Sequence, residues 1–221
     1  MLNQITAFFS IETIAFTILD YPMSYIEFIG TIFYLWSVWL IARKNILTWL
    51  IGIISVIIYF FLFYQIRLYS DAIEQIYYLG ASIYGWWYWI KGLRDENDTQ
   101  IIVRISSRKT IGLWAAVTLI ISVMTGIFIS RIHLIFPSLF PEPASYPFLD
   151  ALTTVMSFSA MFLMAQKRIE SWCYWIIVDV IGIWLYYTKG VKFISLLYVI
   201  LLIMAINGLI TWYKGIVRRA I

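Results

Sequence analysis

A carboxylate in the middle of an apolar run needs a chemical reason. Asp179 stands in WCYWIIVDVIGIWLYY, residues 172–187, with aliphatic neighbours on both sides. At helical spacing Trp172, Trp175, Asp179, Gly182 and Tyr186 share one face. Ionisable groups at bilayer depth are costly and mark functional sites by default. Two roles fit Asp179: a packing hydrogen bond to a neighbouring helix, or an acceptor lining a substrate cavity. A second stripe runs through Asp71, Gln75, Tyr78, Ser82 and Trp86 or Trp89. The Gln75 amide both donates and accepts, so it suits another amide, and it serves a helix–helix contact equally well. Asn207, about a turn and a half before Trp212, has the same two readings. Trp36, Trp39, Trp175 and Trp184 are either deep in spans or without a counterpart elsewhere in the chain. Aromatic faces around a closed cavity suit a flat or cationic ligand.

The elements that hold these residues are membrane spans. Of 221 residues 62% are hydrophobic and 13% charged, and the mean hydropathy is +0.86. An ordinary soluble domain carries about 25% charged residues. Seven segments are long and apolar enough to span, roughly 24–42, 46–65, 71–90, 110–130, 148–165, 171–187 and 193–212. Residues 1–23 form an N-terminal interfacial segment, read as an amphipathic helix because Glu12 interrupts the apolar positions. One cysteine, Cys173, and one histidine, His133, leave no disulfide or metal-ligand spacing. No hydrolytic or redox motif is present, so the sequence points away from an enzyme and away from any cofactor. The +4 net charge does not imply a nucleic-acid partner, because the cations sit at span ends.

The chain repeats itself. YGWWYWIKG at 84–92 is echoed by NGLITWYKG at 207–215, an offset of 123 residues. At that offset residues 27–92 and 150–215 match without a gap at 17 of 66 positions, among them Lys44, Trp49, Gly85, Trp89, Lys91 and Gly92. Such matches at loops and helix ends are not products of shared hydrophobicity. The expected architecture is all-α and membrane-integral, with seven transmembrane helices in a three-plus-one-plus-three layout. The first three-helix repeat covers 24–92 and the second 148–215. A linker, 93–147, contains the connecting helix 110–130, and a tail covers 216–221. An odd connecting helix makes the repeats parallel, related by an axis along the membrane normal. Twelve Lys and Arg fall on one side and four, Arg67, Arg131, Lys189 and Lys192, on the other. By the positive-inside rule the C-terminus is cytoplasmic.

WLIGIISVIIYFFLFYQIRLYSD, YYLGASIYGWWYWIKG and DALTTVMSFSAMFLMAQKRIESWCYWIIVDV closely resemble the PnuC family of bacterial nicotinamide riboside transporters, over residues 27–215. The resemblance implies facilitated diffusion of nicotinamide riboside across the bacterial inner membrane, with intracellular phosphorylation as the trap that feeds NAD synthesis. It further implies a homotrimer and a fold akin to the SWEET transporters. The family's W-x-x-W falls on Trp172 and Trp175, and its seventh-span Asn on Asn207. Ser171 stands where family members often have Asn. Trp36, Gln75, Tyr78, Trp172, Trp175, Asp179 and Asn207 make up the candidate substrate site. No Arg or Lys lies at mid-depth to meet a phosphate, so the riboside is expected to be preferred over its mononucleotide. Other cargo on the same fold, such as a sugar or thiamine, and a non-transporting membrane subunit are the alternative readings.

Overall fold

The computed structural model describes residues 9–18, 21–95, 101–138 and 142–220. Two short strands, β1 (Ile14–Ile18) and β2 (Tyr21–Ser24), precede α1 (Tyr25–Ala42), α2 (Leu47–Gln65), α3 (Tyr69–Asp95), α4 (Arg108–Ile135), α5 (Pro147–Ala165), α6 (Glu170–Thr188) and α7 (Lys192–Ala220). Five helices, α1, α2, α4, α5 and α7, are long and apolar enough to cross a membrane. The polar content of α3 and α6 sets these two apart, and they carry five of the seven candidate residues: Gln75, Tyr78, Trp172, Trp175 and Asp179. Three helices outrun their expected ends, α3 to Asp95, α4 to Ile135 and α7 to Ala220.

The N-terminal segment differs from expectation. In place of an amphipathic helix, β1 and β2 pair antiparallel as a hairpin, while residues 1–8 lie outside the described residues. Ile14, Thr17 and Ile18 lose rotamer freedom in a helix, and Pro22 removes a donor, so extended backbone wins. The hairpin and the residues just before it are tied to the helices. Gln65, the last residue of α2, accepts from the Ile11 amide at 3.2 Å and donates to the Phe9 carbonyl at 3.0 Å. Tyr21 donates to the Glu27 carboxylate at 2.6 Å, and burial, reinforced by that carboxylate, pushes its phenol well above the usual range.

Each helix packs on the next in the order α1, α2, α3, α5, α6, α7 and back to α1, while α4 lies outside against α5. The result is a six-helix ring. Contacts between α3 and α5 and between α7 and α1 close it at positions related by the 123-residue offset. The offset is equally visible in backbone detail. Lys44 (φ 58°) and Lys167 (φ 61°) adopt the left-handed conformation at matched helix ends, as do Arg67 (φ 61°) and Gly190 (φ 77°). Such a conformation is disfavoured outside glycine, so its recurrence at matched places marks one turn used twice.

The core gathers at one end of the ring. Trp49, Trp89, Trp172 and Trp212 are fully buried there. Trp89 meets Trp49 edge to face at 5.3 Å and Trp212 at 6.3 Å, and Trp212 meets Trp172 edge to face at 5.6 Å. Edge-to-face pairs place the positive ring edge on the negative face of a neighbour. Gly85 and Gly208 make this possible, because the Trp49 and Trp172 rings occupy the space a Cβ would need.

Candidate functional site

Above the tryptophan layer the ring encloses a polar, aromatic interior. Tyr34 of α1, Tyr59 of α2, Tyr78 of α3 and Tyr198 of α7 are surrounded by protein yet keep accessible surface. Their electrostatic neighbours are one another and Asp179, which places the group together inside the ring. Asp179 is the tenth of the nineteen residues of α6 and is 3% exposed. Tyr34 and Tyr198 both lie within electrostatic reach of its carboxylate. No hydrogen bond to Asp179 from a side chain appears among the described residues, which leaves its oxygens available to a ligand proton.

The tyrosines are held individually. Tyr59 shares a 2.8 Å hydrogen bond with Thr31 and meets Tyr34 edge to face at 6.3 Å. Tyr78 meets the Phe158 ring edge to face at 5.8 Å across the α3–α5 contact. Tyr198 stacks on Tyr186 at 5.3 Å and lies over Gly182, whose missing side chain admits the ring. Glu74 accepts from Thr154 at 3.2 Å toward the hairpin end, and its charge reaches Tyr78 and Tyr198. Gln75 is half-buried, and its amide makes a long 3.4 Å bond to the Asp71 carbonyl of its own helix. Such a bond is weak and easily exchanged for a ligand.

Of the sequence candidates, Asp179 and Tyr78 line this interior, with Gln75 one turn before Tyr78. Trp172 sits in the tryptophan layer, 1% exposed, beneath Gly208, and Trp175 is packed partly buried against the same core. Two others lie elsewhere. Trp36 is 46% exposed on the outward face of α1 beside Ile32 and Trp39. Asn207 is exposed on the face of α7 that carries Ile203 and Ile210. Tyr34 and Tyr198 were not among the candidates. The signal for Tyr198 lay in the repeat, where it replaces Gln75, and in Gly182, which replaces Tyr59: a large and a small residue exchange places between the halves.

A ring of helices around a polar interior, in a chain with five apolar spans, defines a multi-pass membrane transporter. The chain belongs to the family described as nicotinamide mononucleotide transporters, whose model matches residues 24–214, and this family includes the PnuC proteins. It is 31% identical to the nicotinamide riboside transporter PnuC of Escherichia coli strain K12, over 96% of each chain. It is 27% identical to the riboflavin/roseoflavin transporter RibM of Streptomyces davaonensis, over 90% of this chain and 89% of that one. These relatives are transporters, not enzymes. The fold matches a crystal structure of the vitamin B3 transporter PnuC with a TM-score of 0.64 at 23% identity, covering 86% of this chain and 81% of that one.

Proposed function

We propose that the protein is a uniporter that carries nicotinamide riboside down its gradient into the bacterial cytoplasm, where phosphorylation traps it for NAD synthesis. The observation that carries this reading is Asp179 at mid-helix, facing a tyrosine-lined interior. Nicotinamide riboside has a cationic pyridinium, a carboxamide and ribose hydroxyls. Tyrosine faces take the ring by stacking and cation–π attraction. Asp179 offsets the charge or accepts from the ribose, and Gln75 pairs with the carboxamide. Trp172 and Trp175 frame the end of the cavity that the tryptophan layer closes. In this reading Trp36 and Asn207 contribute only where a neighbouring copy or a second conformation brings them to the site.

The family description names a mononucleotide, while the E. coli relative is named for the riboside. We favour the riboside. A phosphate needs cationic partners, and no Lys or Arg is among the described residues that face the interior. The proposed layout is three plus one plus three, with α4 connecting two parallel repeats that rock against each other around the site. Its C-terminus is cytoplasmic, in the inner membrane, and the assembly is a homotrimer. RibM favours one second reading, a flavin cargo. Both readings meet one experiment: uptake of labelled nicotinamide riboside into proteoliposomes without an energy source, with riboflavin as competitor. Saturable uptake that riboflavin leaves unchanged supports the riboside. Uptake no greater than in empty liposomes overturns it, and strong inhibition by riboflavin transfers the assignment to a flavin.

A further inference from the structure

Two seams join the halves of the ring, α3 with α5 and α7 with α1. The 123-residue offset makes them equivalent by position, and their side chains make them unlike. The α3–α5 seam is linked along its length. Glu74 accepts from Thr154 at 3.2 Å, and Tyr77 donates to the Phe158 carbonyl at 2.7 Å with the two rings 4.2 Å apart. Tyr84 stacks on Phe162 at 5.9 Å, and Trp89 donates to the Ala165 carbonyl at 3.0 Å.

On the α7–α1 seam one of these links recurs, the Trp212 indole on the Ile41 carbonyl at the tryptophan end. Leu197, Ile200 and Asn207 stand where Glu74, Tyr77 and Tyr84 stand on the other seam. Leucine and isoleucine side chains offer no hydrogen bond. The facing residues differ as well. Thr31, matched to Thr154, shares its hydroxyl with Tyr59 inside its own half. Leu35 replaces Phe158, and Trp39, which replaces Phe162, lies exposed with the Arg43 guanidinium 3.9 Å over its ring. Parting α3 from α5 strands hydrogen-bonded groups, which is costly, whereas parting aliphatic contacts strands none.

The hairpin stands at the open end of this weaker seam. It is built on the first half: the Tyr25 amide donates to the Thr13 carbonyl at 3.2 Å, and Phe16 meets Phe28 edge to face at 4.9 Å. It reaches the second half through Tyr21. That ring stacks on Phe193, the second residue of α7, at 5.2 Å and 12°, while its hydroxyl donates to Glu27 of α1. One side chain thus spans the seam where α1 and α7 begin. Tyr21 and Glu27 both lie within electrostatic reach of Tyr59, so this contact borders the tyrosine-lined interior.

We infer that the hairpin is a lid carried by the first half and latched to the second by Tyr21 on Phe193. The interior opens at this end when α1 parts from α7, and the α3–α5 seam stays together as the hinge. The Tyr21–Glu27 bond moves with the lid, so opening gives up an aromatic stack and no hydrogen bond. The inference rests on the transport reading and adds which of the two seams moves.

The test uses the full-length protein in proteoliposomes, with Cys173→Ser removing its one native thiol. Tyr21→Cys/Phe193→Cys sets a thiol pair across the α7–α1 seam, and Tyr77→Cys/Phe158→Cys sets one across the α3–α5 seam. A short bifunctional thiosulfonate bridges each pair, reductant releases it, and uptake of labelled nicotinamide riboside is compared before and after. Bridging the first pair should lower uptake roughly tenfold or more, reversibly, because closure of a lid is an obligatory step, and bridging the second should change it less than about twofold. Uptake that survives complete bridging of the first pair overturns the inference, as does an equal block from both bridges. No uptake by the unmodified protein overturns the transport reading itself, and the lid with it. Hydrogen exchange on the unmodified protein decides the matter if a cysteine pair does not fold. Riboside should then alter exchange roughly threefold or more at residues 21–28 and 192–197 and leave 74–84 and 154–162 unchanged. A change confined to the α3–α5 seam, or none at residues 21–28, overturns the lid.

Discussion

The indole nitrogen of Trp212 lies 3.0 Å from the carbonyl oxygen of Ile41, 171 residues earlier, and donates its hydrogen there. Its repeat partner Trp89 does the same to the Ala165 carbonyl, also at 3.0 Å. Each half thus spends its last helix on satisfying the end of the other half's first helix. A carbonyl at a helix end lacks its usual donor four residues on: the Ala165 carbonyl takes the Trp89 indole, and the Ile41 carbonyl takes the Trp212 indole beside the Lys44 amide at 2.9 Å.

Trp89→Phe keeps most of the ring area but takes the indole donor from the Ala165 carbonyl. A buried unsatisfied group costs about 1–3 kcal/mol. At roughly 2–4 °C per kcal/mol for a chain of this size, the unfolding midpoint should fall by several degrees. Trp212→Phe should give a smaller fall, because the Ile41 carbonyl keeps the Lys44 amide at 2.9 Å. Because the two rings touch, the double variant should depart from the sum of the singles, as neighbouring sites do. Thermal unfolding followed by circular dichroism in detergent measures all three, and an unshifted midpoint in both singles refutes the bracing role.

The tryptophan layer rests on Gly85 and Gly208. Alanine at either needs the space of a buried ring, Trp49 or Trp172, that has nowhere to turn. Overpacking of this kind costs about 1–3 kcal/mol. Gly80→Ala, on α3 like Gly85, meets nothing within 4 Å and should raise stability slightly by its higher helix propensity. Opposite signs for Gly85→Ala and Gly80→Ala in one denaturation series are the expected outcome.

The left-handed turns make a paired expectation. Arg67→Gly should leave the midpoint unchanged or raise it, because its repeat partner is already glycine. Gly190→Ala should lower it, by about 1–2 kcal/mol for a side chain at positive φ. A fall for Arg67→Gly as large as that for Gly190→Ala would show that the Arg67 side chain, rather than the backbone, holds that turn.

Asp179→Asn keeps volume and a hydrogen-bonding oxygen while removing the charge. If the carboxylate serves the substrate cation, riboside affinity in a calorimetric titration should fall roughly tenfold or more, the scale of a lost charge-assisted contact. The unfolding midpoint should hold or rise, since a buried carboxyl with no side-chain partner among the described residues is replaced by a neutral amide. Unchanged affinity would reduce Asp179 to a packing residue.

The repeat was legible because its matches fall on residues that geometry constrains: Lys44 and Lys167 in the same turn, and Gly85 and Gly208 under the same ring. Asp179 drew attention because a carboxylate in mid-span is costly, whether it packs or binds. The helical stripe through Trp172, Trp175 and Asp179 gave a shared face but not a shared environment. The layer of four tryptophans divides that face by depth, and this layer depends on Trp49, Trp89 and Trp212 from other helices. Trp36 and Asn207 stand apart from the interior in this arrangement of the helices. A tryptophan and an amide within a span look inward in sequence, yet Trp36 shares its helix face with Ile32 and Asn207 with Ile203 and Ile210. The hairpin escaped because its strands are short, and the Gln65 side chain that holds the stretch leading into them is far along the chain.

Gly182 provides the sharpest separation of site from scaffold. It lies one turn from Asp179 on the same face, and an added Cβ would stand 2.5 Å from the Tyr198 ring. Unlike Trp49 over Gly85, which is sealed in the core, Tyr198 borders the interior and can yield by swinging into it. Gly182→Ala should therefore cost less stability than Gly85→Ala while displacing a ring that lines the proposed site and stacks on Tyr186. The expected signature is a small change in unfolding midpoint with a severalfold loss of riboside affinity, a few tenths to one kcal/mol of binding. A large loss of stability with affinity intact would place Tyr198 in the scaffold and take the α6–α7 side out of the binding site.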